Sequence, residues 1–316
     1  MSAEELIMAC VLDAAIGDPR WIPHPVRLMG TVIVWYESRI RMVIHTPAGL
    51  RTAGIVLAIG LPALTYAMGW LAIELAGWAD AVVKTTLTVL IAWTTLAMRD
   101  LFDHAWSVVR ALEAGSLDRA RAAVSQIVGR DTDGLSEAEI VRASVETIAE
   151  SAADGVVAPL FYLAIGGPPL ALAYKTINTL DSMIGHRDVH YRYFGWASAR
   201  LDDVANWVPA RLTAILLILA AALRTHTMRP AWRIFCRDGS KHPSPNSGRP
   251  EAAMAGALNV QLGGTNVYGG IVTERPRLGD ALTPLVPGHV TAALYLMGIA
   301  SVMAAALAAA ALVLRS

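Results

Sequence analysis

Residues 142 to 206 read RASVETIAESAAD (142–154), GVVAPLFYLAIGGPPLALAY (155–174) and KTINTLDSMIGHRDVHYRYFGWASARLDDVAN (175–206). Two polar blocks rich in carboxylates therefore flank a segment with no charge at all. That middle segment is long enough to cross a bilayer, which takes about 20 apolar residues. Yet Gly166-Gly167-Pro168-Pro169 interrupts it, and backbone that leaves helical geometry at membrane depth is tolerated only against protein or a wet cavity. The segment is expected to be either a broken span or a re-entrant hairpin, and the placement of both polar blocks depends on which.

Composition supports a membrane setting. The 316 residues are 55% hydrophobic and only 16% charged, with a mean hydropathy of +0.46, whereas soluble domains carry roughly 25% charged residues. Gly288 to Leu314 and Ala53 to Ile73 contain no Asp, Glu, Lys or Arg, and each is long enough to span. Thr85 to Met98 is shorter and gains length if Lys84 snorkels and Arg99 caps the other end. Val204 to Leu223 carries Pro209 and Arg211 near its start, so it either crosses at a tilt or lies partly buried. Val26 to Ile44 has a polar side of Arg27, Glu37, Arg39 and Arg41 and reads as interfacial. The expected fold is an all-α polytopic membrane helix bundle, one membrane-embedded domain over 1–316, with three to five spanning or re-entrant segments and two polar regions forming a site.

Glu4 and Glu5 stand where a signal peptide has its positive region, so the N-terminus is not expected to be cleaved. Cys10 and Cys236 lack metal-site spacing and are too few for a disulfide framework. Three prolines between Pro19 and Pro25 force an irregular connection. Asp18 and His24 within it cap a loop or join a site.

The polar regions differ in sign. Residues 99–154 hold eleven acids against six arginines, and residues 224–287 hold eight basic residues against four acids. In the first, a helical hairpin breaks near Gly115-Ser116, and Ser136 with Glu139 makes a capping box that opens the next helix. Asp131, Thr132, Asp133 and Gly134 form the loop before it, as a plain turn or as ligands. Along that helix Glu146, Glu150 and Asp154 fall at i, i+4 and i+8 on one face. Like charges at that spacing repel, so the stripe calls for a cation, and Mg²⁺ is the usual oxygen-seeking occupant; a solvated acidic face is the alternative.

In the second region, KHPSPNSGRPE (241–251) precedes Gly263-Gly264 and Tyr268-Gly269-Gly270. Its prolines fix the backbone while Ser, Asn and Gly leave hydroxyls and amides free, a composition suited to anions. Ala252 to Gln261 reads as a helix whose N-terminus faces that loop; a structural loop between helices is the alternative. Arginines in both polar regions place them on the cytoplasmic side by the positive-inside rule. No G-x-x-x-x-G-K-[ST] and no strand-bound G-x-G-x-x-G is present, so a nucleotide would be held by other means. The absence of H-E-x-x-H and C-x-x-C argues against zinc.

Several ordered motifs carry a resemblance. These are Leu12-Asp13 with Gly17-Asp18-Pro19 and His24-Pro25-Val26; Val128-Gly129-Arg130-Asp131-Thr132; Val145-Glu146-Thr147-Ile148-Ala149-Glu150 with Asp154-Gly155-Val156-Val157-Ala158-Pro159-Leu160; and Lys175 with Asn178-Thr179-Leu180-Asp181-Ser182-Met183. To these add Phe194-Gly195-Trp196-Ala197-Ser198-Ala199-Arg200-Leu201-Asp202-Asp203 and His242-Pro243-Ser244-Pro245-Asn246-Ser247-Gly248. Together they resemble the membrane-bound CobD/CbiB family of cobalamin biosynthesis, adenosylcobinamide-phosphate synthase, over essentially the whole chain. The sequence departs from the family at Arg249, where Trp is frequent, and His186 falls in a variable spot.

The resemblance implies amide formation between the propionate carboxylate of adenosylcobyric acid and the amine of (R)-1-amino-2-propanol or its O-phosphate, driven by ATP. Such a reaction needs an activated acyl group, most simply an acyl phosphate, and phosphoryl transfer needs metal ions and cationic clamps. On that reading Glu146, Glu150 and Asp154, with Asp202 and Asp203, are the expected ligands of Mg²⁺. Glu150, Asp154, Lys175, Asp181 and Arg200 are the expected catalytic set, and Lys241, Ser244, Asn246, Ser247 and Asn178 the expected substrate and phosphate set. The expected partners are the corrinoid, the aminopropanol or its phosphate, the lipid bilayer and other enzymes of the same pathway, with no nucleic acid. The expected location is the cell membrane of a prokaryote, multi-pass, with the site facing the cytoplasm. A corrinoid transporter and a membrane transferase acting on a phosphorylated lipid share the hydrophobicity and the polar residues, and they stay open on sequence alone.

Overall fold

A computed structural model describes residues 1–19, 21, 24–186 and 188–315. The protein is a polytopic bundle of helices with one small β-hairpin, and five helical segments are long and apolar enough to cross a membrane: Pro47–Ala79, Ala81–Glu113, Glu137–Ile184, Trp207–Arg224 and Gly288–Val313. The chain divides into two compact units, the first from 1–97, 158–206 and 305–316, the second from 98–157 and 207–304.

The first unit contains α1 (Ala3–Ile16), α2 (Pro25–Val43), α3 (Pro47–Ala79), α4 (Ala81–Trp93), α8 (Ala158–Ile184) and α9 (Trp196–Ala205). Local chemistry sets the ends of these helices. The Thr46 hydroxyl accepts the Gly49 N–H and Pro47 occupies the first turn of α3, where its missing donor costs nothing. Asp80 both ends α3 and caps α4, accepting from Val82 and Val83. His24 accepts the Val26 N–H at the start of α2 and lies 3.4 Å from Asp18, which is the loop-capping arrangement. Ile33, Leu57, Leu61, Leu180, Ile184 and Phe194 form a buried cluster between α2, α3 and α8. Gly54 makes its closest packing possible, because a Cβ there would stand 1.9 Å from the Phe194 carbonyl oxygen.

α8 is two helices joined at Gly167. Gly167 has φ +69° and ψ −168°, a conformation open to glycine, and two prolines follow it. The Tyr162 and Tyr174 rings stack with centroids 4.8 Å apart. Twelve residues of unbroken helix would separate their backbones by about 18 Å, so the chain folds back at Gly167. The GGPP interruption is thus a hairpin rather than a kinked rod. The Tyr162 hydroxyl donates to the Ala205 carbonyl at 2.8 Å, and the Tyr174 hydroxyl to Asn206 Oδ1 at 2.9 Å. Arg315 donates to the carbonyls of Ala164 and Ile165, satisfying acceptors that the end of the first limb leaves open. The segment after the hairpin is clamped to α2: Glu37 accepts from Arg41 at 2.7 Å and lies 3.0 Å from His190, and Arg41 donates to the His190 carbonyl.

The second unit contains α5 (Met98–Glu113), α6 (Leu117–Val124), α7 (Glu137–Ser151), a π-helical turn (Ala152–Val157), α10 (Trp207–Arg224), α11 (Met228–Asp238), α12 (Gly248–Leu258), strands β1 (Leu262–Tyr268) and β2 (Ile271–Leu278), and most of α13 (Gly288–Val313). The α5–α6 break falls at Gly115, with φ +66°, and Ser136 and Glu139 form the expected capping box. α12 is the most enclosed helix, with every residue but Arg249 buried. Its small side chains allow close approach, and a Cβ on Gly256 would lie 2.7 Å from Ala231 Cα and the Pro230 carbonyl oxygen.

The antiparallel pair β1 and β2 was not expected from sequence. Val267 faces Val272 and Tyr268 faces Ile271 across it, and Gly269-Gly270 turn the chain with φ of +55° and +78°, the signs a type I′ turn needs. Asp131 accepts the N–H of both glycines, at 3.1 and 2.7 Å. The loop before α7 thereby anchors the hairpin tip.

Candidate active site

Within the second unit, α7, the 242–250 loop, the start of α12 and the β-hairpin bring acids and guanidiniums together. Arg130 donates to Glu146 Oε2 at 2.8 Å, with side chains only 5% and 9% exposed. The Gly263 N–H donates to Glu146 Oε1 at 2.8 Å, and Arg142 lies 3.8 Å from the same oxygen. Arg142 in turn donates to the carbonyls of Gly263 and Thr265, and both arginines donate to Asn266 Oδ1. At Glu146 the cation that the acidic stripe calls for is thus a pair of guanidiniums.

One turn on, Glu150 accepts the Ser247 hydroxyl at 2.9 Å. The HPSPNSG loop is built around Ser244, whose oxygen accepts the N–H groups of Asn246 and Ser247 while its own N–H goes to His242 Nδ1. A His242 ring that accepts at Nδ1 carries its proton on Nε2, and that nitrogen lies 3.4 Å from Arg275. Burial, then the Arg275 charge, push the His242 pKa down to about 4, so the ring is neutral at pH 7. Two donors then face one another.

Glu251, in the first turn of α12, is 3% exposed. Burial first, then the neighbouring Glu146 and Glu150, raise its pKa well above the usual carboxylate range. A carboxyl held neutral in this way can donate a hydrogen bond as well as accept one.

Lys241 sits differently from the clamp the sequence suggested. Its Nζ is 2.7 Å from Asp238, a wholly buried carboxylate. Burial raises that group, but hydrogen bonds from Arg237, Lys241 and the Gly279 N–H outweigh this and hold it well below the usual range. Asp154 lies in the π-helical turn, outside the α-helical register of Glu146 and Glu150. Its wider i→i+5 winding rotates the following side chains, and such turns are frequent at functional sites.

The first unit carries the other sequence-derived candidates. Lys175, Asn178 and Asp181 follow one another along the second limb of α8. Arg200, Asp202 and Asp203 lie on α9, where Arg200 is 3.5 Å from Asp203 and Asp202 accepts from Asn206 at 3.0 Å. Among the described residues no three His, Cys, Asp or Glu side chains converge as a protein-only metal cage. Glu150, with one oxygen engaged by Ser247, fits a Mg²⁺ held mainly by substrate oxygens and water, the usual manner for that ion.

Sequence reasoning did not single out Arg142, Glu251, His242, Arg275 or Asn266. Arg142 had a signal, since it precedes Glu146 by one turn. The others converge only through tertiary structure.

This fold and this cluster define a polytopic membrane protein carrying a buried carboxylate and guanidinium site suited to anionic substrates. The family model "CobD/Cbib protein" matches residues 6–297. Over 280 residues the chain is 49% identical to the "Cobalamin biosynthesis protein CobD" of Geobacter metallireducens, covering 89% of this chain and 87% of the relative. The proteins of the same description from Klebsiella pneumoniae and Listeria monocytogenes are 44% identical over 300 residues and 41% over 294, covering 95% and 93% of this chain and 94% and 93% of those relatives. The chain belongs to the CobD/CbiB family. No solved structure matches it.

Proposed function

We propose that this chain is a cobalamin-biosynthesis enzyme of the membrane. In this reading it joins the propionate carboxylate of adenosylcobyric acid to the amine of (R)-1-amino-2-propanol or its O-phosphate, with ATP consumed. The observation that carries the reading is the site itself: Arg130, Arg142 and Arg275 stand with Glu146 and Glu150 in a family member similar to cobalamin proteins over most of its length. The excess of guanidinium charge suits a substrate rich in carboxylate and phosphate.

The corrinoid carboxylate attacks the γ-phosphorus of ATP, ADP leaves, and an acyl phosphate results. The amine then attacks the acyl carbon, inorganic phosphate leaves, and a base takes the proton from nitrogen. Mg²⁺ bound with the nucleotide supplies neutralisation of the phosphate charge. In this scheme Glu150 and Asp154 would hold the ion and its water. Ser244, Asn246 and Ser247 shape the loop that meets the substrate.

The test is full-length protein in detergent or nanodiscs, with ADP and corrinoid product followed together. In steady turnover amide product and ADP are expected in equal amounts, product only when corrinoid, amine and ATP are all present, and both stop in excess EDTA. ADP release without the corrinoid, unchanged turnover in EDTA, or product without ATP each overturns the scheme.

We further propose that residues 99–154 and 224–287 face the cytoplasm of a prokaryotic cell, where ATP is available, and that residues 175–203 return to that side through the hairpin at Gly166 to Pro169. With Cys10 and Cys236 removed, Ser182→Cys and Ser240→Cys are expected to stay unlabelled by an impermeant thiol reagent on intact cells and to label together once the membrane is opened. Labelling of Ser182→Cys alone from outside would place the α8 hairpin's exit on the other face.

A further inference from the structure

Two arginines beside the 242–250 loop have no role in the carboxylate cluster. Arg211, on α10, donates to the Trp207 carbonyl at 2.7 Å, lies over the Trp207 ring at 4.1 Å, and reaches Asn246 Oδ1 at 3.5 Å. Arg249, in the first turn of α12, lies 5.6 Å over the Phe235 ring. Its Nε is buried and has no hydrogen-bond partner. Both guanidiniums are half-buried, and the charge of Arg249 acts on Arg211. Among the described residues, no carboxylate lies within ion-pair distance of either.

Two like charges that act on each other in partly desolvated surroundings repel, and an orphaned buried donor is costly. A ligand with several acceptor oxygens relieves both at once, because a guanidinium presents a planar fork of N–H groups that matches phosphate oxygens in pairs. Ser244 adds a donor: its oxygen already accepts two backbone N–H groups, which leaves its hydroxyl proton to be donated to another acceptor. Lys241 is tied to Asp238 and is not available as a further clamp here.

We propose that Arg211 and Arg249, with Ser244, form an oxyanion site that takes a phosphate group. The site deepens the ligase reading and rests on it only for which substrate owns the phosphate. The shared chemistry is a phosphoryl oxyanion, borne either by the nucleotide's polyphosphate or by a phosphorylated amino alcohol.

The test uses the full chain in detergent and calorimetric binding of two probes, inorganic tripolyphosphate and phosphoethanolamine. At least one is expected to bind saturably and to lose at least tenfold in affinity in Arg249→Gln and in Arg211→Gln. Arg249→Lys should lose less, and Arg233→Gln, which removes a surface partner of Asp280, should bind as the unchanged protein does. Preference for tripolyphosphate assigns the site to the nucleotide, and preference for phosphoethanolamine to the acceptor. A second measurement needs no variant: in the unchanged protein the bound probe should protect Arg249 from phenylglyoxal, read by peptide mass. No binding of either probe, undiminished binding in both glutamine variants, or no protection overturns the proposal. Neither measurement requires turnover, so loss of the site and loss of the amide-forming reading are separable.

Discussion

Glu146→Leu lowers the stability of the protein by about 3–5 kcal/mol, the cost of removing one member of a buried ion pair. The carboxylate accepts from Arg130 and from the Gly263 N–H and lies within 4 Å of Arg142. Deleting it leaves two guanidiniums buried against each other and strands the amide at the start of β1. The damage therefore extends beyond α7 to the hairpin, whose carbonyls at Gly263 and Thr265 hold Arg142. Thermal unfolding in detergent, read by tryptophan fluorescence, checks this as a large fall in midpoint. A double variant, Glu146→Leu with Arg130→Met, is expected to recover part of the loss, since it removes an orphaned charge along with its partner. A single variant as stable as the unchanged protein would show that the pair is not what fixes the hairpin.

Glu150→Gln abolishes product formation, by at least a hundredfold, while leaving the unfolding midpoint within a few degrees. The two positions are one helical turn apart and differ in their surroundings. Glu150 receives only the Ser247 hydroxyl among the hydrogen bonds described for its carboxylate, and a carboxamide oxygen keeps that bond. What is lost is the negative charge that the proposed scheme places beside the metal and its water. Retention of more than a tenth of the unchanged rate rejects this role, and a collapse of the midpoint would make Glu150 a structural residue like its neighbour.

The contrast shows how far the residues speak for themselves. Spacing alone treats Glu146, Glu150 and Asp154 as equivalent, since they share one face of an ideal helix. The structure separates them, because Arg130 comes from a loop 16 residues earlier, Gly263 from a strand more than 100 residues later, and the π-helical turn shifts Asp154 out of register. The apolar runs and the Ser136 capping box are local signals, and they place the helices. The GGPP break also carried enough information for a reversal, since neither proline can continue the hydrogen-bonding of a straight rod.

The β-hairpin was hidden by its own glycines. Gly263-Gly264 and Gly269-Gly270 look like loop composition, and the run Thr265 to Tyr268 between them is short. Lys241 illustrates a different gap. Asp238 stands three residues before it, so the ion pair was within reach of sequence, but the burial that makes it firm was not. Glu251 reads as an ordinary acid favoured at a helix start, and only its enclosure by α7 and the loop gives it an unusual proton affinity.

The interleaving of the two units has a consequence for how the chain is made. Residues 98–157 leave the ribosome before the 158–206 and 305–316 stretches of the first unit, and their own remaining partners, 207–304, come after 158–206. Each unit therefore waits on sequence distant from its beginning, which makes its contacts non-local and its assembly slow. During that interval Arg130 and Glu146 can already pair, whereas Gly263 and Asn266 have not been synthesised. The half-built acidic helix must be tolerated in the nascent protein with only part of its counter-charge in place, so the order of synthesis, as much as the finished geometry, favours carrying Arg130 and Arg142 in the same early segment as the acids they neutralise.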